Sequence, residues 1–357
     1  LQILGGWLSD SLGRLRAIAI GSVVGVFVYV PLLLATRWEW VLLASALGSV
    51  TRSLVGPSFD AFIADHSAPD NRARLFGITQ TLFGVVSVVG PALGGYLVEA
   101  LSFKGMLAVA AALYLAATVI RVGMAREAAK SQVAASSPLT FASLKMNLGA
   151  MVGLILAGGL FTWIMITDGI RDIFFNMSFS FLSVYMQDIA SLSISQIGIM
   201  SSIFGIAMMA VMIPAGWLAD KKGERVNIAI SFFFMATSLG MIASVPPASP
   251  AWVYGLGWVI AGTGVGLATP AYQSLISKAV PQRLRGVAFG LFSTSLGLVS
   301  LPAPLIGGFL WENVSPQFPF MLTALASLVV IIPAWFKFKV SGDMPDSAPP
   351  PTADKAV

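Results

Sequence analysis

Residues 6–16 read Gly-Trp-Leu-Ser-Asp-Ser-Leu-Gly-Arg-Leu-Arg, a polar stretch bounded by glycines between two apolar runs. It returns 210 positions later (216 − 6 = 210), where residues 216–225 read Gly-Trp-Leu-Ala-Asp-Lys-Lys-Gly-Glu-Arg. The Ile-Ala-Ile at 18–20 also returns at 228–230. A repeat with so long a period indicates two related structural halves. We call the two copies the first and second polar motifs.

The composition predicts an all-α polytopic membrane protein. Of the 357 residues, 57% are hydrophobic and 10% are charged, whereas soluble domains carry roughly 25% charged residues. Apolar runs long enough to cross about 30 Å of hydrocarbon follow one another along the chain. The lipid bilayer is therefore its expected surroundings, and we expect the cytoplasmic membrane of a bacterium or archaeon.

Residue content argues against several functional classes. The chain has no cysteine and one histidine, His66, so thiolate metal sites and histidine clusters are excluded. The sequence contains no phosphate-cradling glycine loop with lysine, no zinc pair and no hydrolase triad. We expect no cofactor, no enzyme activity and no ATP-driven pump. The net charge of +5 does not indicate nucleic acid, because the bases lie in short loops between apolar runs.

The apolar runs predict four regions. Residues 1–122 form an N-terminal half, 123–146 a linker, 147–338 a C-terminal half and 339–357 a disordered tail. Beyond the end of one span at 1–9, spans are expected at 17–35, 40–64, 76–98, 105–122, 196–218, 227–244, 252–276, 286–311 and 320–336. Residues 147–187 are too many for one span, since 41 helical residues would measure about 60 Å. A break is expected at Gly158-Gly159 or at Gly169.

The distribution of Lys and Arg predicts the orientation. When both polar motifs are placed inside, almost all loop bases fall on the cytoplasmic side, and only Arg37 and Lys104 fall outside. The linker and the C-terminus are then cytoplasmic.

The repeat also predicts the size of the whole architecture. Leu1 aligns with Val211, whereas the C-terminal half begins near Asn147. About 60 residues of the first half are therefore expected before Leu1. The expected protein has twelve spans in two sets of six, of which ten and the end of an eleventh are present.

Two six-span halves, a polar motif after the second span of each and a basic central loop resemble the major facilitator superfamily of secondary transporters. The resemblance covers essentially the whole chain. The positions of the first motif that are similar to the family's most characteristic motif are Gly6, Leu8, Asp10, Gly13 and Arg14. The second motif keeps Gly216, Leu218, Asp220 and Gly223, but Glu224 replaces the usual base. The resemblance implies two pseudo-symmetric six-helix bundles that alternate access to a small solute.

The resemblance further implies a conformational latch at the polar motifs. The first glycine of each motif permits close helix approach, and the second permits a tight turn. The aspartate of each motif suits the positive N-terminus of a neighbouring helix. The expected latch residues are Gly6, Asp10, Gly13, Arg14, Gly216, Asp220 and Gly223, with Arg72, Arg74, Arg283 and Arg285 as basic partners. The alternative is that these residues serve only turns and topology.

A second repeated block runs from 72 to 95 and from 285 to 308, with an offset of 213 (290 − 77 = 213). Its Gly-Pro-Ala-Leu-Gly-Gly at 90–95 resembles the fifth-span motif of drug–proton antiporters, although Val86 stands where that motif has glycine. Generic helix packing explains the block equally. The expected packing residues, with a bend at each proline, are Gly90, Pro91, Gly94, Gly95, Pro304, Gly307 and Gly308.

Ionisable side chains inside predicted spans mark candidate coupling or substrate sites, because each costs about 2.5–3.5 kcal/mol to insert. Arg52, Gly56 and Asp60 are four apart and share one helix face. Arg52 with Gly56 resembles the family's fourth-span arginine motif, which is associated with proton coupling. The alternatives are an ion pair between Arg52 and an acid in the first span, and an interfacial position for Asp60.

Asp168, Arg171 and Asp172 also share one helix face. The pattern leaves open whether they lie at the cytoplasmic surface or line a cavity at mid-depth. The expected proton-coupling or cavity residues are Arg52, Asp60, Gln80, Asp168, Arg171, Asp172, Asn176, Tyr272 and Gln273. The glycines at 262, 264 and 266, spaced by two, are expected to form a flexible segment.

The leading hypothesis is a monomeric secondary transporter that exports small amphipathic compounds in exchange for protons. One alternative is an uptake symporter or facilitator for a sugar or organic acid. Another is a non-transporting membrane scaffold or a truncated, inactive product.

Overall fold

The computed structural model describes residues 13–66, 72–130, 158–247, 249–280 and 299–338, together with the isolated residues 149, 153, 288 and 292. Every regular element within these residues is a helix. The predicted span end at 1–9 and the predicted tail at 339–357 lie outside the described residues. The expected all-α class is confirmed.

The first half contains three described helices. Helix α1 is Arg14–Leu34, α2 is Glu39–His66 and α3 is Arg72–Lys130. Helix α3 changes direction at Ser102, whose φ of 74° is not helical. This kink lies between the two spans that were expected at 76–98 and 105–122. We call the segments before and after Ser102 the first and second arms of α3.

The second half contains six described helices. Helix α4 is Leu160–Val184 and continues into a π-helical turn, Tyr185–Ile189. The remaining helices are α5 Ile194–Lys222, α6 Glu224–Ser244, α7 Ala251–Ala279, α8 Ala303–Asn313 and α9 Phe318–Lys337. The end of the molecule where α1 begins and α5 ends carries the polar motifs. We call it the motif end, and the other end the opposite end.

The repeat in the sequence is also a repeat in the structure. Helices α1 and α6 both have 21 residues, and their bounds differ by 210 (224 − 14 and 244 − 34). Each follows a glycine with a φ of 87°, Gly13 in one case and Gly223 in the other. A positive φ strains any residue with a Cβ atom. The second glycine of each polar motif therefore permits the turn that starts the next span.

Two predicted boundaries do not coincide with the ends of described helices. Helix α3 continues to Lys130, into the segment that was assigned to the linker from 123 onward, because residues 124–130 are mostly strong helix formers such as Ala, Met, Glu and Lys. The C-terminal half was expected to begin at 147. Residues 149 and 153 are helical, and helix α4 begins at Leu160, after Gly158 and Gly159 with φ values of 69° and 92°. Gly169 lies within α4 and does not break it.

Six described segments are long and apolar enough to cross a membrane: Arg14–Leu34, Thr81–Glu127, Ile194–Ala219, Glu224–Ser244, Ala251–Ala279 and Phe318–Lys337. Helices α2 and α4 have sufficient length, 28 and 25 residues, but are not among them. Helix α2 carries Arg52 and Asp60, and helix α4 carries Asp168, Arg171 and Asp172. Polar spans of this kind face the interior of a bundle or a water-filled cavity.

The glycines of α7, which were expected to form a flexible segment, lie within one continuous helix. A Cβ atom added at Gly264 would lie 3.1 Å from the carbonyl oxygen of Ser231 in α6. Added at Gly266, it would lie 3.2 Å from the Cα atom of Met208 in α5. Alternate glycines therefore let α7 pack closely against a helix on each side, as small residues do between membrane helices.

Candidate functional site

Arg52 lies at the centre of α2, since it is residue 14 of 28 (52 − 39 + 1 = 14). Both helix ends are about 20 Å away at 1.5 Å per residue. The positions of Arg52, Gly56 and Asp60 are all exposed, as expected for one face of a helix. Nη2 of Arg52 donates to Oγ of Ser49 over 3.3 Å. Among the described residues no carboxylate lies within ion-pair distance of Arg52.

The acidic cluster of α4 is built around a buried ion pair. Nη2 of Arg171 lies 2.6 Å from Oδ1 of Asp168, and the Asp168 side chain is fully buried. Asp168 is eight residues from the start of α4 (168 − 160 = 8), or about 12 Å along the helix axis. The ion pair therefore lies well inside α4 and not at its first turn.

Helix α7 supplies the other wall of this site. The guanidinium carbon of Arg171 lies 5.1 Å from the ring centroid of Tyr272, within the range of a cation–π contact. Tyr272 itself is buried, with 2% of its surface exposed. Arg171 is thus held between the carboxylate of Asp168 and the face of an aromatic ring.

Asp172 and Asn176 extend the cluster by one further turn of α4. The side-chain amide of Asn176 donates to the backbone carbonyl of Asp172 over 2.9 Å. The Ser300 hydroxyl donates to the Asp172 carboxylate. Ser300 was not among the predicted site residues, because nothing in its local sequence marks it. It reaches the site only through the tertiary fold.

The remaining cavity candidates are not brought into this cluster. Gln273 is exposed on α7, although its neighbour in the chain, Tyr272, is buried. Gln80 lies in α3, and its side chain is outside the described residues. Arg52 and the Asp168 cluster belong to different halves.

The two halves meet along a seam between the first arm of α3 and helix α5. The backbone N–H of Ala92 donates to Oγ of Ser202 over 3.2 Å. A Cβ atom added at Gly95 would lie 2.9 Å from the carbonyl oxygen of Ile194, and one added at Gly198 would lie 3.2 Å from the carbonyl carbon of Pro91. At these points the two backbones touch.

The seam is restricted to the part of the two helices away from the motif end. Toward the motif end, a Cβ atom added at Gly216 would meet nothing within 4 Å in the described structure. Ile213 and Trp217 on the same stretch of α5 are 68% and 67% exposed. Among the described residues, the contacts between the first arm of α3 and α5 therefore lie toward the opposite end.

The expected packing block has mixed outcomes. Gly95 and Pro91 lie in the seam, whereas a Cβ atom at Gly90 or Gly94 would meet nothing within 4 Å in the described structure. Pro304 does not bend a span, because it lies in the first turn of α8, where a proline is tolerated. The two glycines of the same block both lie against α4: Gly307 packs against Met177, and Gly308 lies near Phe181.

The polar motifs are described only in part. Gly6, Asp10, Arg283 and Arg285 lie outside the described residues, as do the side chains of Arg72, Arg74 and Asp220. Arg14 opens α1 and has an interaction partner. Gly216 makes no close contact with the described residues, so close helix approach at this glycine is not found there.

Glu224, the residue that departs from the motif pattern, has a structural role. Its side chain is 4% exposed and forms an ion pair with Lys278 at the end of α7. Oγ of Ser274 also donates to Oε1 of Glu224 over 2.7 Å. Glu224 lies in the first turn of α6, where a negative charge is favourable. The acid therefore ties the second polar motif to α7.

Replacing Lys278 with alanine is expected to lower the stability of the protein by about 1–3 kcal/mol, because it leaves a buried carboxylate without its cation. Thermal unfolding in detergent measures the effect. Lys222→Ala removes an exposed lysine from the same end and is the control. The double variant Lys278→Ala/Glu224→Gln is expected to recover most of the loss, and a single variant as stable as the parent would contradict the role of this pair.

Two repeated halves of membrane-spanning length, with ionisable side chains inside a helix of each half, are typical of a solute transporter. A sequence model of the Major Facilitator Superfamily matches residues 1–301 and again residues 164–356. The chain belongs to this superfamily and is an integral membrane protein that transports small molecules.

Several relatives with similar sequences are resistance proteins. The class C tetracycline resistance protein of Escherichia coli is 26% identical over 303 residues, which cover 84% of this chain and 74% of the relative. The multi-drug resistance efflux pump PmrA homolog of Lactococcus lactis is 25% identical over 340 residues, or 94% of this chain and 80% of the relative. The quinolone resistance protein NorA of Staphylococcus aureus is 30% identical over 151 residues, which cover 42% of this chain and 38% of the relative.

The fold is also similar to that of a solved transporter. A crystal structure of the peptide transporter POT superposes with a TM-score of 0.77, covering 94% of this chain and 82% of the other. The sequence identity is 16%, so the likeness concerns the fold alone. It supports the expected arrangement of two helical bundles.

Proposed function

We propose that this protein exports small amphipathic compounds by alternating access, in exchange for protons. The observation that carries the proposal is the buried Asp168–Arg171 ion pair of α4, held against Tyr272 of α7. A buried ion pair is weak evidence for stability but marks a coupling or substrate site when it lies inside a span. The tetracycline, quinolone and multidrug relatives support the direction and substrate class.

In this mechanism Asp168 is the proton acceptor. While it is ionised, Arg171 neutralises it, and the site is closed between α4 and α7. A proton on Asp168 cancels the attraction, so that Arg171 is free to move toward another acceptor. Asp172, one turn further along α4, is such an acceptor within the cluster. A change of proton occupancy thereby becomes a change of side-chain packing in the second half.

In the first half, Arg52 is the charged group that corresponds to the Asp168–Arg171 pair of the second half. Its exposed side chain at mid-helix places a positive charge at the depth where substrate is bound in this architecture. Asp60 lies two turns closer to the motif end on the same face. We assign Arg52 to proton coupling and Asp60, Asn176, Gln80 and Gln273 to the cavity or its entrance.

The polar motifs complete the proposal as a latch at the motif end. The exposure of Ile213 and Trp217 on α5 supports a state in which the halves are apart at this end. In the opposite state of the cycle, Asp10 and Asp220 would contact the bases at 72, 74, 283 and 285. We retain the predicted orientation, with the motif end, the linker and the C-terminus in the cytoplasm, and a monomer as the active unit.

The experiment is proton and substrate flux in proteoliposomes of the full-length protein, with a mixed panel of cationic drugs, tetracyclines, sugars and organic acids. Substrate-triggered proton movement is expected in the parent and a loss of at least about tenfold in Arg52→Ala, the scale of one coupling interaction. Arg37→Ala removes an arginine outside the spans and serves as the control, with unchanged flux.

The other hypotheses give different results. Substrate flux without proton movement, unchanged in Arg52→Ala, would replace coupled export by facilitated diffusion. Proton movement in the same direction as a sugar or organic acid would indicate uptake. Stable insertion without flux of any compound would favour a non-transporting scaffold.

A further inference from the structure

Glu99 makes a polar contact across the seam at the opposite end. The backbone N–H of Ser195 donates to Oε1 of Glu99 over 3.0 Å. Glu99 belongs to the first arm of α3, in the first half, and Ser195 to α5, in the second half. The bond therefore joins the two bodies that must move apart during alternating access.

Glu99 accepts its hydrogen bond from the first turn of α5, and this position explains why a carboxylate suits the site. Helix α5 begins with a capping box, in which Oγ of Ser193 accepts from the N–H of Gln196 and the Gln196 side chain accepts from the N–H of Ser193. The N–H of Ser195 is a further donor of the first turn, and the four N–H groups of a helix start have no partner within the helix. A carboxylate there also interacts favourably with the positive end of the helix dipole.

Glu99 extends the seam at its outermost point. Toward the motif end from Glu99, the backbone contacts of Gly95 with Ile194 and Gly198 with Pro91 follow in order, together with the Ala92–Ser202 hydrogen bond. These contacts are apolar or neutral, and Glu99 contributes the charged one. Its loss would weaken the seam where the halves would first separate.

We propose that Glu99 fastens the opposite end of the seam, and that release of its bond to the N-terminus of α5 is required for that end to open. The proposal rests on alternating access as the mode of transport. Glu99 is an exposed acid that belongs neither to the polar motifs nor to the predicted cavity. The proposal gives this residue a role in the transport cycle. With the predicted orientation, the opening faces the outside of the cell.

The test uses the absence of cysteine from the chain. Ser202→Cys places a thiol in the seam at a position that is 7% exposed. A membrane-impermeant maleimide is added to intact cells, and its rate of reaction is measured without substrate. Adding Glu99→Ala is expected to raise this rate about fivefold, which corresponds to about 1 kcal/mol at tenfold per 1.4 kcal/mol.

Two further variants make the result specific. Glu99→Gln keeps an oxygen acceptor but loses the charge, so it is expected to raise the rate less than Glu99→Ala. Glu312→Ala removes an exposed acid near the end of α8 and is expected to leave the rate unchanged. Labelling of the denatured protein shows that the thiol is present and reactive in every variant.

An unchanged labelling rate in both Glu99 variants would overturn the proposal, and so would an equal increase in Glu312→Ala. The measurement needs neither substrate nor a proton gradient. A raised labelling rate together with no flux in proteoliposomes would therefore reject the proposed export function while supporting the role of Glu99.

Discussion

Substitution of Asp168 by alanine is expected to abolish proton-coupled transport and to destabilise the protein by about 3–5 kcal/mol, the cost of breaking a buried ion pair from one side. The carboxylate is fully buried and lies 2.6 Å from Nη2 of Arg171. Its removal takes away the carboxylate in contact with Arg171, and leaves the guanidinium against the ring of Tyr272, with Asp172 as its remaining acidic neighbour. Flux in proteoliposomes and thermal unfolding in detergent measure the two effects.

The matched control is Asp188→Ala, which removes an exposed acid from the π-helical turn after α4 and is expected to leave stability and flux near the parent values. The double variant Asp168→Ala/Arg171→Leu removes both charges, so it is expected to recover stability but not transport. Recovery of proton-coupled flux in the double variant would show that the pair has only a structural role.

Substitution of Gly198 by leucine is expected to have the largest effect on the contact between the halves, with a loss of about 1–3 kcal/mol from overpacking. The added Cβ atom would lie 3.2 Å from the carbonyl carbon of Pro91 and 3.4 Å from Cα of Gly95. These are backbone atoms, which cannot turn away as a flexible side chain can. The halves must therefore separate along the seam, and thermal unfolding and labelling of a thiol at position 202 report the change.

Gly216→Leu is the control on the same helix, because a Cβ atom there would meet nothing within 4 Å in the described structure. Replacing glycine inside a helix also removes a cost of about 0.5–1 kcal/mol. The control is therefore expected to be as stable as the parent. Similar losses in both variants would mean that α5 rejects any large side chain, whatever its contact with α3.

Much of the architecture could be predicted from local sequence. The offset of 210 between the polar motifs reappears as the offset between α1 and α6. The glycines at 13 and 223 were expected to form tight turns, and both have a φ of 87°. Each of these features depends on residues adjacent in the chain, such as a glycine before a helix or an apolar run of sufficient length.

The candidate site was predicted less completely. The spacing of Asp168, Arg171 and Asp172 placed them on one face of a helix and left their depth open. The structure adds that Asp168 lies eight residues from the start of α4 at Leu160 (168 − 160 = 8). Tyr272 was expected to line the cavity, but its contact with Arg171 was not foreseen. Ser300, Lys278 and Glu99 were not singled out at all, because each acts through a partner distant in the sequence.

The sequence by itself determined the helical membrane class, the two halves and the positions where spans turn. Only the tertiary structure decided which helices touch, as the glycines of α7 and the seam between α3 and α5 illustrate. The physical reason is that lipid and helix neighbours are both apolar, so hydropathy marks a span without identifying its packing partner. Close contacts depend on individual small residues and polar groups, whose partners become visible only when the spans are brought together.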